Sequence, residues 1–438
     1  MAAGRIYQRK WLLIRLPIAV LAIAAAAWLW QRFLPLPPTE LTLTAGRTDG
    51  AYHANALRYA AWFAERGVTL HILESEGAEQ NLARLRGEAP GPAQLAFLQG
   101  GTGYAQRRGA SAPRVLTLAR VDHEPVWIFT RTPAIDSLQQ LQGLRVSLGS
   151  RGSGTRKLAL ALLEQVRLAP SDVVESDLAG MPAAQALRQG SLDAVVTVAA
   201  ADSPVVRALL QAPGVHLAQL SRSAALVERL PYLQVRLLPQ GALDPGQRLP
   251  ARDISLLVTT ESLVAREDLH PALQRLAAAA ARELHAGGGV LHRPGDFPSL
   301  KLVEFPSSRE ARQTLAHGLP WLERQLPFWW AQVALRVLVI CLPVALLAWW
   351  VARALPAYLR WLVESRLARW YGELKYIELD LARESLTGLD VSKYLSRLES
   401  IERRMTAFST PDYLMPRWFA LRHHVDFVRA RLVRRRGR

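Results

Sequence analysis

The sequence predicts a two-lobed α/β domain, flanked by two apolar helices and followed by a helical tail. Three observations predict it. Between residues 39 and 320, short apolar strands alternate with amphipathic helices, a spacing that makes a mainly parallel sheet covered on both sides. A strand–glycine loop–helix unit occurs after Leu41 and again after Leu144, which suggests two similar blocks with a cleft between them. Two apolar runs, residues 16–30 and Phe328–Val351, bracket this region.

Residues 16–30 carry no charge and follow Arg5, Arg9, Lys10 and Arg15. Trp28, Trp30 and Phe33 at the far end favour an uncleaved anchor over a signal peptide, whose cleavage region the alanine run imitates. Pro35, Pro37 and Pro38 make a stiff spacer. Leu41–Ala45 then reads as a strand, Gly46–Gly50 as a loop and Tyr52–Arg66 as a helix with an apolar face on Ala56, Leu57 and Ala60. Val68–Leu73 is a second strand, Asn81–Arg86 a helix, and Ala93–Leu98 a third strand ending at Gln99. In the second block Val146 and Leu148 belong to a strand, Gly149–Gly154 to a loop, and Thr155 opens a helix with Leu158, Leu162 and Leu163 inward. Ala194–Val198 is another strand, Ile254–Val258 a return strand, and Pro271–Ala286 a helix.

In Phe328–Val351, Trp329–Trp330 and Trp349–Trp350 stand at the two ends, as an aromatic belt at each membrane interface would. Arg336 interrupts the run and is expected to snorkel or face a partner; Pro343 is expected to bend it. The expected organisation is therefore residues 1–15 cytoplasmic, 16–34 a transmembrane anchor, 39–320 an extracytoplasmic domain, 328–352 a second span and 353–438 a cytoplasmic tail. Within the domain, one lobe takes about 39–125 plus 240–320 and the other about 126–239.

Charge distribution gives the orientation. The 438 residues carry 54 Lys+Arg and 37 Asp+Glu, a formal net charge of +17. Residues 1–15 account for +4 and residues 353–438 for +8, while residues 34–326 hold only +3. By the positive-inside rule both ends face the cytoplasm, and the main domain lies in the periplasm of a bacterial inner membrane. The basic balance is thus a topology signal, and nucleic acid is not expected as a partner. The single cysteine, Cys341, excludes an internal disulfide framework and any multi-cysteine metal site.

The glycine loops are the candidate chemistry. A glycine-rich loop opening a helix presents unpaired N–H groups and the positive end of the helix dipole, which suits a carboxylate or phosphate. In Gly149–Thr155, Ser153 and Thr155 add hydroxyls; N-capping by Ser153 with no ligand is the alternative. The loop is not a P-loop, because Thr155-Arg156 replaces the required lysine, and its glycine order is not that of a dinucleotide fingerprint. Asp122-His123-Glu124 reads as a solvated loop without a second ligand cluster. No nucleophile or acid/base couple stands out, so no catalytic residue, metal or cofactor is expected.

Three segments carry a resemblance: Gly46-Arg-Thr-Asp-Gly50-Ala-Tyr52, Gly77-Ala-Glu-Gln-Asn81-Leu, and Gly143–Thr155. With Gln99 at its strand end and Gly190-Ser-Leu-Asp193-Ala194, they make residues 40–300 similar to the TAXI family of TRAP-transporter solute-binding proteins. Gly289–Pro298 and Leu326–Trp329 look like a membrane-anchored subset of it. The resemblance implies a type II periplasmic-binding-protein fold and a small carboxylate-bearing solute, such as glutamate or a related organic acid. It places ligand contacts at Thr48, Tyr52, Gln80, Asn81, Gln99, Ser153, Gly154 and Thr155. Ala78 and Gln80 depart from the family's usual Ser and Glu.

In the tail, Leu367, Trp370, Leu374, Ile377 and Leu381 recur at helical spacing, and Val391, Leu395, Leu398, Ile401 and Met405 repeat the pattern. A helical hairpin ending near Pro411 is expected, serving oligomerisation, contact with a transporter subunit, or anchorage. The arginine-rich residues 429–438 suit anionic lipid headgroups. The expected function is a membrane-tethered receptor capturing a small organic anion for a TRAP permease; the alternative is a sensor signalling through its second span and tail.

Overall fold

The computed structural model describes residues 2–104, 114–133, 135–383, 388–408, 410 and 414–436. It divides into two units, residues 36–335 and residues 1–35 with 336–438. Helix α1 (Ala2–Phe33) belongs to the second of these.

The unit 36–335 begins with β1 (Glu40–Thr44), α2 (Ala51–Ala64), β2 (Thr69–Leu73), α3 (Ala78–Leu85) and β3 (Leu95–Gln99). β1 runs parallel to both β2 and β3, as βα connections require. Leu41, Leu43, Phe63, Leu95 and Phe97 are buried with the alanine-rich face of a later helix in one core. A long strand β4 (Val115–Thr130) then leaves this core for a second one. There β5 (Arg145–Ser147), α4 (Gly154–Gln165), β6 (Val174–Ser176), α5 (Gly180–Gln189), β7 (Ala194–Val198) and α6 (Pro204–Leu210) repeat the pattern. β8 (His216–Leu217), α7 (Ser223–Arg229) and β9 (Gln234–Leu238) complete it, and β10 (Ile254–Arg266) crosses back. Helices α8 (Pro271–Leu284), α9 (Arg309–His317), α10 (Trp321–Gln325) and α11 (Phe328–Arg336) finish the unit.

The strand order is β2-β1-β3-β10-β4-β7-β5-β6, with β8 on β4 and β9 on β10. β10 pairs antiparallel with β3 over 261–265 and with β9 over 254–258, while β4 pairs with β10 along its first part and with β7 along its last. Two strands therefore serve both halves, and the expected two-lobed, periplasmic-binding-protein-like fold is what the chain forms. Register shifts at Glu261/Ser262 and Leu263/Val264 mark the crossing, as bulges re-aim strands.

Three local readings need correction. Asp122-His123-Glu124 is no solvated loop: it lies inside β4, paired with 259–261 of β10, and His123 packs against Phe297 with ring centroids 4.9 Å apart. The return strand runs to Arg266 rather than Val258, and Leu238, Ala242, Leu243, Ile254 and Leu256 pack in the second lobe. The chain thus re-enters the first lobe within β10, later than residue 240. Trp329 is no interfacial belt residue: it packs on the first lobe's core and donates its indole N–H to Gly67 O at 3.0 Å.

In the other unit, α12 (Leu342–Arg383) follows a π-helical turn at Val337–Cys341. The wide turn falls where Pro343 lacks the N–H that residue 339's carbonyl would accept. Arg336 is 1% exposed and donates from Nε to Leu34 O at 2.8 Å and from Nη2 to Pro35 O. It satisfies carbonyls at the end of α1 rather than snorkelling. The tail is more than a hairpin. α12, α13 (Gly388–Thr406) and α14 (Met415–Arg436) share a core in which Leu421, Val425, Val428 and Leu432 meet Leu374, Ile377 and Leu398. Among the described residues two helical stretches, Arg15–Phe33 and Phe328–Ala382, are long and apolar enough to cross a membrane.

Candidate solute-binding site

A cavity of about 170 Å³ lies between the lobes. Its walls are the first turns of helices from both: Gly50–Tyr52 of α2 and Gly77–Ala78 of α3 on one side, Ser153–Thr155 of α4 and Ala179–Gly180 of α5 on the other. Each start follows a strand and a short turn, glycine-rich before α2 and α4, so the helix begins at the sheet's C-terminal edge with its N–H groups directed at the gap. Ser153 caps α4, accepting a hydrogen bond from Arg156 N. The N-caps of α2, α3 and α5 are Gly50, Gly77 and Ala179, and none supplies a side-chain cap. By contrast α6, α8 and α9 are capped by Ser203, His270 and Ser308. Three helix starts without a side-chain cap converge with their dipoles on one cavity, an arrangement that suits anionic oxygen.

The lobes also touch beside the cavity. Gln99 Nε2 donates to Gly154 O at 3.0 Å, Gln80 N to Gly152 O at 3.3 Å, and Lys157 Nζ to Thr102 O at 2.6 Å. Gly77, at φ +135°, lies against Ser153: a Cβ there would stand 3.1 Å from Ser153 Cα. The interface is closed, and glycine is what lets the backbones meet.

At the cavity floor Tyr52 Oη donates to Glu124 Oε2 at 3.0 Å. Burial pushes the Glu124 carboxyl well above the usual carboxylate range, and the Glu261 charge adds to this against the Tyr52 hydrogen bond. Glu124 therefore holds a proton more readily than an exposed glutamate does. Glu261, on β10, is pushed up to about 8 by burial, opposed by Asn55, whose Nδ2 donates to Oε1 at 3.0 Å and Oε2 at 3.1 Å. Arg47 is the cation on the rim, and Asp49 pairs with it at 3.2 Å.

Of the residues expected to contact a ligand, Tyr52, Gln99, Ser153, Gly154 and Thr155 line this cavity together. Ser153 spends its hydroxyl hydrogen on Ser150 O at 2.6 Å, so its local capping role fills its side chain. Thr155 Oγ1 accepts from Val198 N at 3.3 Å and keeps its own hydrogen. Three expected residues lie elsewhere. Thr48 is exposed on the loop. Gln80 faces a different cleft and accepts from Glu76 N at 2.8 Å. Asn81 is fully buried in the first lobe, where it joins Thr44, Ser75 and Phe97 O. The turn at Gly50 belongs to the first glycine loop, while Glu124 and the turn at Ala179 are additions; the apolar residues on both sides of Asp122–Glu124 are the signal that marks a buried strand.

The sequence matches the NMT1-like family over residues 43–274. Among solved structures, a protein from Bordetella bronchiseptica RB50 is 18% identical, covering 56% of this chain and 70% of its own, with a TM-score of 0.41. The periplasmic aliphatic sulphonate binding protein of Escherichia coli is 18% identical over 57% of this chain and 73% of its own, TM-score 0.35. The alkanesulfonate-binding protein of Xanthomonas axonopodis pv. citri bound to MOPS is 14% identical over 57% and 74%, TM-score 0.32. The family match covers more than half of the chain and both lobes of the solute-binding-type domain, and the protein belongs to the NMT1-like family.

Proposed function

We propose that this protein is a membrane-tethered extracytoplasmic receptor of the TAXI type that captures a small organic anion, a carboxylate or an amino acid, for a TRAP permease. The observation that carries the reading is the convergence of three uncapped helix starts from two lobes on one cavity. An acid group bound there satisfies their orphan donors, and the Thr155 hydroxyl completes its shell. Because the donors come from both lobes, ligand favours the closed arrangement over the open one. Helix 16–34 and the apolar stretch of 328–352 beyond Arg336 act as spans, with residues 1–15 and 353–438 cytoplasmic, and the arginine-rich end of α14 meets anionic headgroups. Among the described residues the site assembles no activated nucleophile, since Ser153 donates to a carbonyl, which supports binding without turnover.

The shared core of α12, α13 and α14 favours a second reading, a ligand sensor, because an anchor needs no folded module. Thermal-shift and calorimetric titration of the full-length protein in detergent with dicarboxylates, amino acids and sulfonates tests the first reading. Saturable binding of a carboxylate or amino acid without product formation is expected; chemical conversion of the bound solute overturns it. Co-purification with a many-span permease separates transport from sensing.

A further inference from the structure

Among the described residues, Arg120 is a buried cation without a counter-ion. It lies on β4 at the bulged crossing, opposite Ser262 of β10, and is 5% exposed. Its Nη1 donates to Lys301 O at 2.5 Å, but its Nε is buried with no hydrogen-bond partner. Among the described residues no carboxylate lies within 4 Å of its guanidinium. The remaining contact is the Phe297 ring, 5.8 Å from Cζ to centroid. Burying a charge without an opposite charge is costly, and proteins seldom leave one so placed. Burial, reinforced by the Arg236 guanidinium, lowers the Arg120 pKa, so the cation gains from any anion that reaches it.

Arg120 borders a second cavity of about 170 Å³, separate from the solute cleft, with Gln99 on the wall of both. Thr260 and Ser262 offer hydroxyls on that wall. The rings of Tyr104 and Tyr232, 5.4 Å apart, make an aromatic side. Glu304 lines the cavity too, but it accepts Gly101 N at 3.0 Å and lies beyond ion-pair distance of Arg120. A buried guanidinium without an ion-pair partner, adjacent hydroxyls and an aromatic wall form the recognition set for a carboxylate or another oxyanion on a small molecule.

We propose that this cavity behind the crossing strands is a second ligand site, in which Arg120 binds the carboxylate or other oxyanion of a small solute distinct from the one in the cleft. Its walls include β3, β4 and β10 of the first lobe and Tyr232 of the second, so an occupant is positioned to act on closure.

The test uses full-length protein in detergent carrying Ala51→Glu, which places a carboxylate in the front cleft and leaves the lobe contact at Gly154 intact, so that failure here is separable from failure there. Sodium acetate and sodium phosphate are the probes, against sodium chloride at equal ionic strength. A saturable rise in melting temperature with acetate or phosphate is expected, retained in Arg120→Lys and lost in Arg120→Gln. Ser262→Asp supplies the counter-ion from within: it is expected to melt above its parent without added anion and to lose the response. That variant decides the matter even where Arg120→Gln fails to fold. No response in the parent, an equal response in Arg120→Gln, or a lower melting temperature for Ser262→Asp overturns the second site.

Discussion

Gly154 is the position where one methyl group separates folding from binding. It opens α4 in the second lobe and faces the first. A Cβ there would stand 2.7 Å from Gln99 Oε1, 3.0 Å from Gln99 Cδ and 3.1 Å from Ala78 Cβ. The Gln99 side chain can shift only by giving up its hydrogen bond to Gly154 O, and the Ala78 methyl is fixed to a helix backbone. Gly154→Ala must therefore move the lobes apart. Overpacking of this kind costs about 1–3 kcal/mol. The contact exists only across the lobe interface, so the cost falls on the closed form and leaves each lobe's own core alone. At about 1.4 kcal/mol per tenfold, solute affinity should fall roughly 5- to 150-fold. Meanwhile the melting temperature of the unliganded protein should hold or rise slightly, because Ala outranks Gly in a helix. Calorimetric Kd and unliganded Tm, measured on the same preparation, check both halves. An unchanged Kd refutes closure through this contact. A Tm that falls sharply without solute shows that the glycine serves the lobe's own packing instead.

Three further outcomes follow from the same geometry. Glu261 holds its proton more tightly folded than unfolded, so its contribution to stability is full below the ordinary glutamate pKa of about 4.3 and is lost as pH rises through about 8. Glu261→Gln should flatten the decline in Tm between pH 5 and 8; parallel profiles for variant and parent contradict the assignment. Asn81→Ala should lower first-lobe stability by about 1–3 kcal/mol for each buried group left unpaired, without changing solute Kd in folded protein, as a core rather than a ligand residue would. A changed Kd at constant Tm would restore Asn81 to the site. Arg336→Leu removes charged hydrogen bonds to Leu34 O and Pro35 O, each worth roughly 1.5–3 kcal/mol, and should make residues 34–38 more susceptible to limited proteolysis in micelles. Equal cleavage rates would mean that these carbonyls need no such partner.

What the sequence disclosed was local. The α/β alternation and the glycine loops were legible because each strand, turn and helix start is written within a few residues. The loops themselves marked Ser153 and Thr155; Tyr52, Gln99 and Gly154 came from the resemblance, and the neighbours of Gly154, Gln99 and Ala78, are remote in the chain. What stayed hidden depended on distant partners. Asp122, His123 and Glu124 read as a loop because three polar residues are costly in a buried strand; Tyr52, Thr260 and Phe297, far along the chain, make that strand tolerable. Gln80 and Asn81 are adjacent at a helix start and point to different surroundings, one to a cleft and one into the core, which sequence alone does not decide. The last helix was obscured by its charge: Leu421, Val425, Val428 and Leu432 keep a helical spacing beneath the arginines. Trp329 shows the same limit, since an indole that seeks a membrane interface and one that seeks a backbone carbonyl look alike until Gly67 is beside it.

The most direct measurement is the position of the solute's charged oxygen in a liganded crystal structure of the full-length protein. The geometry predicts an acid group between the lobes, within hydrogen-bond distance of first-turn backbone N–H groups of at least two of α2, α3 and α5. A solute bound outside this cavity, or one that turns a cationic or apolar end toward those helix starts, would contradict it.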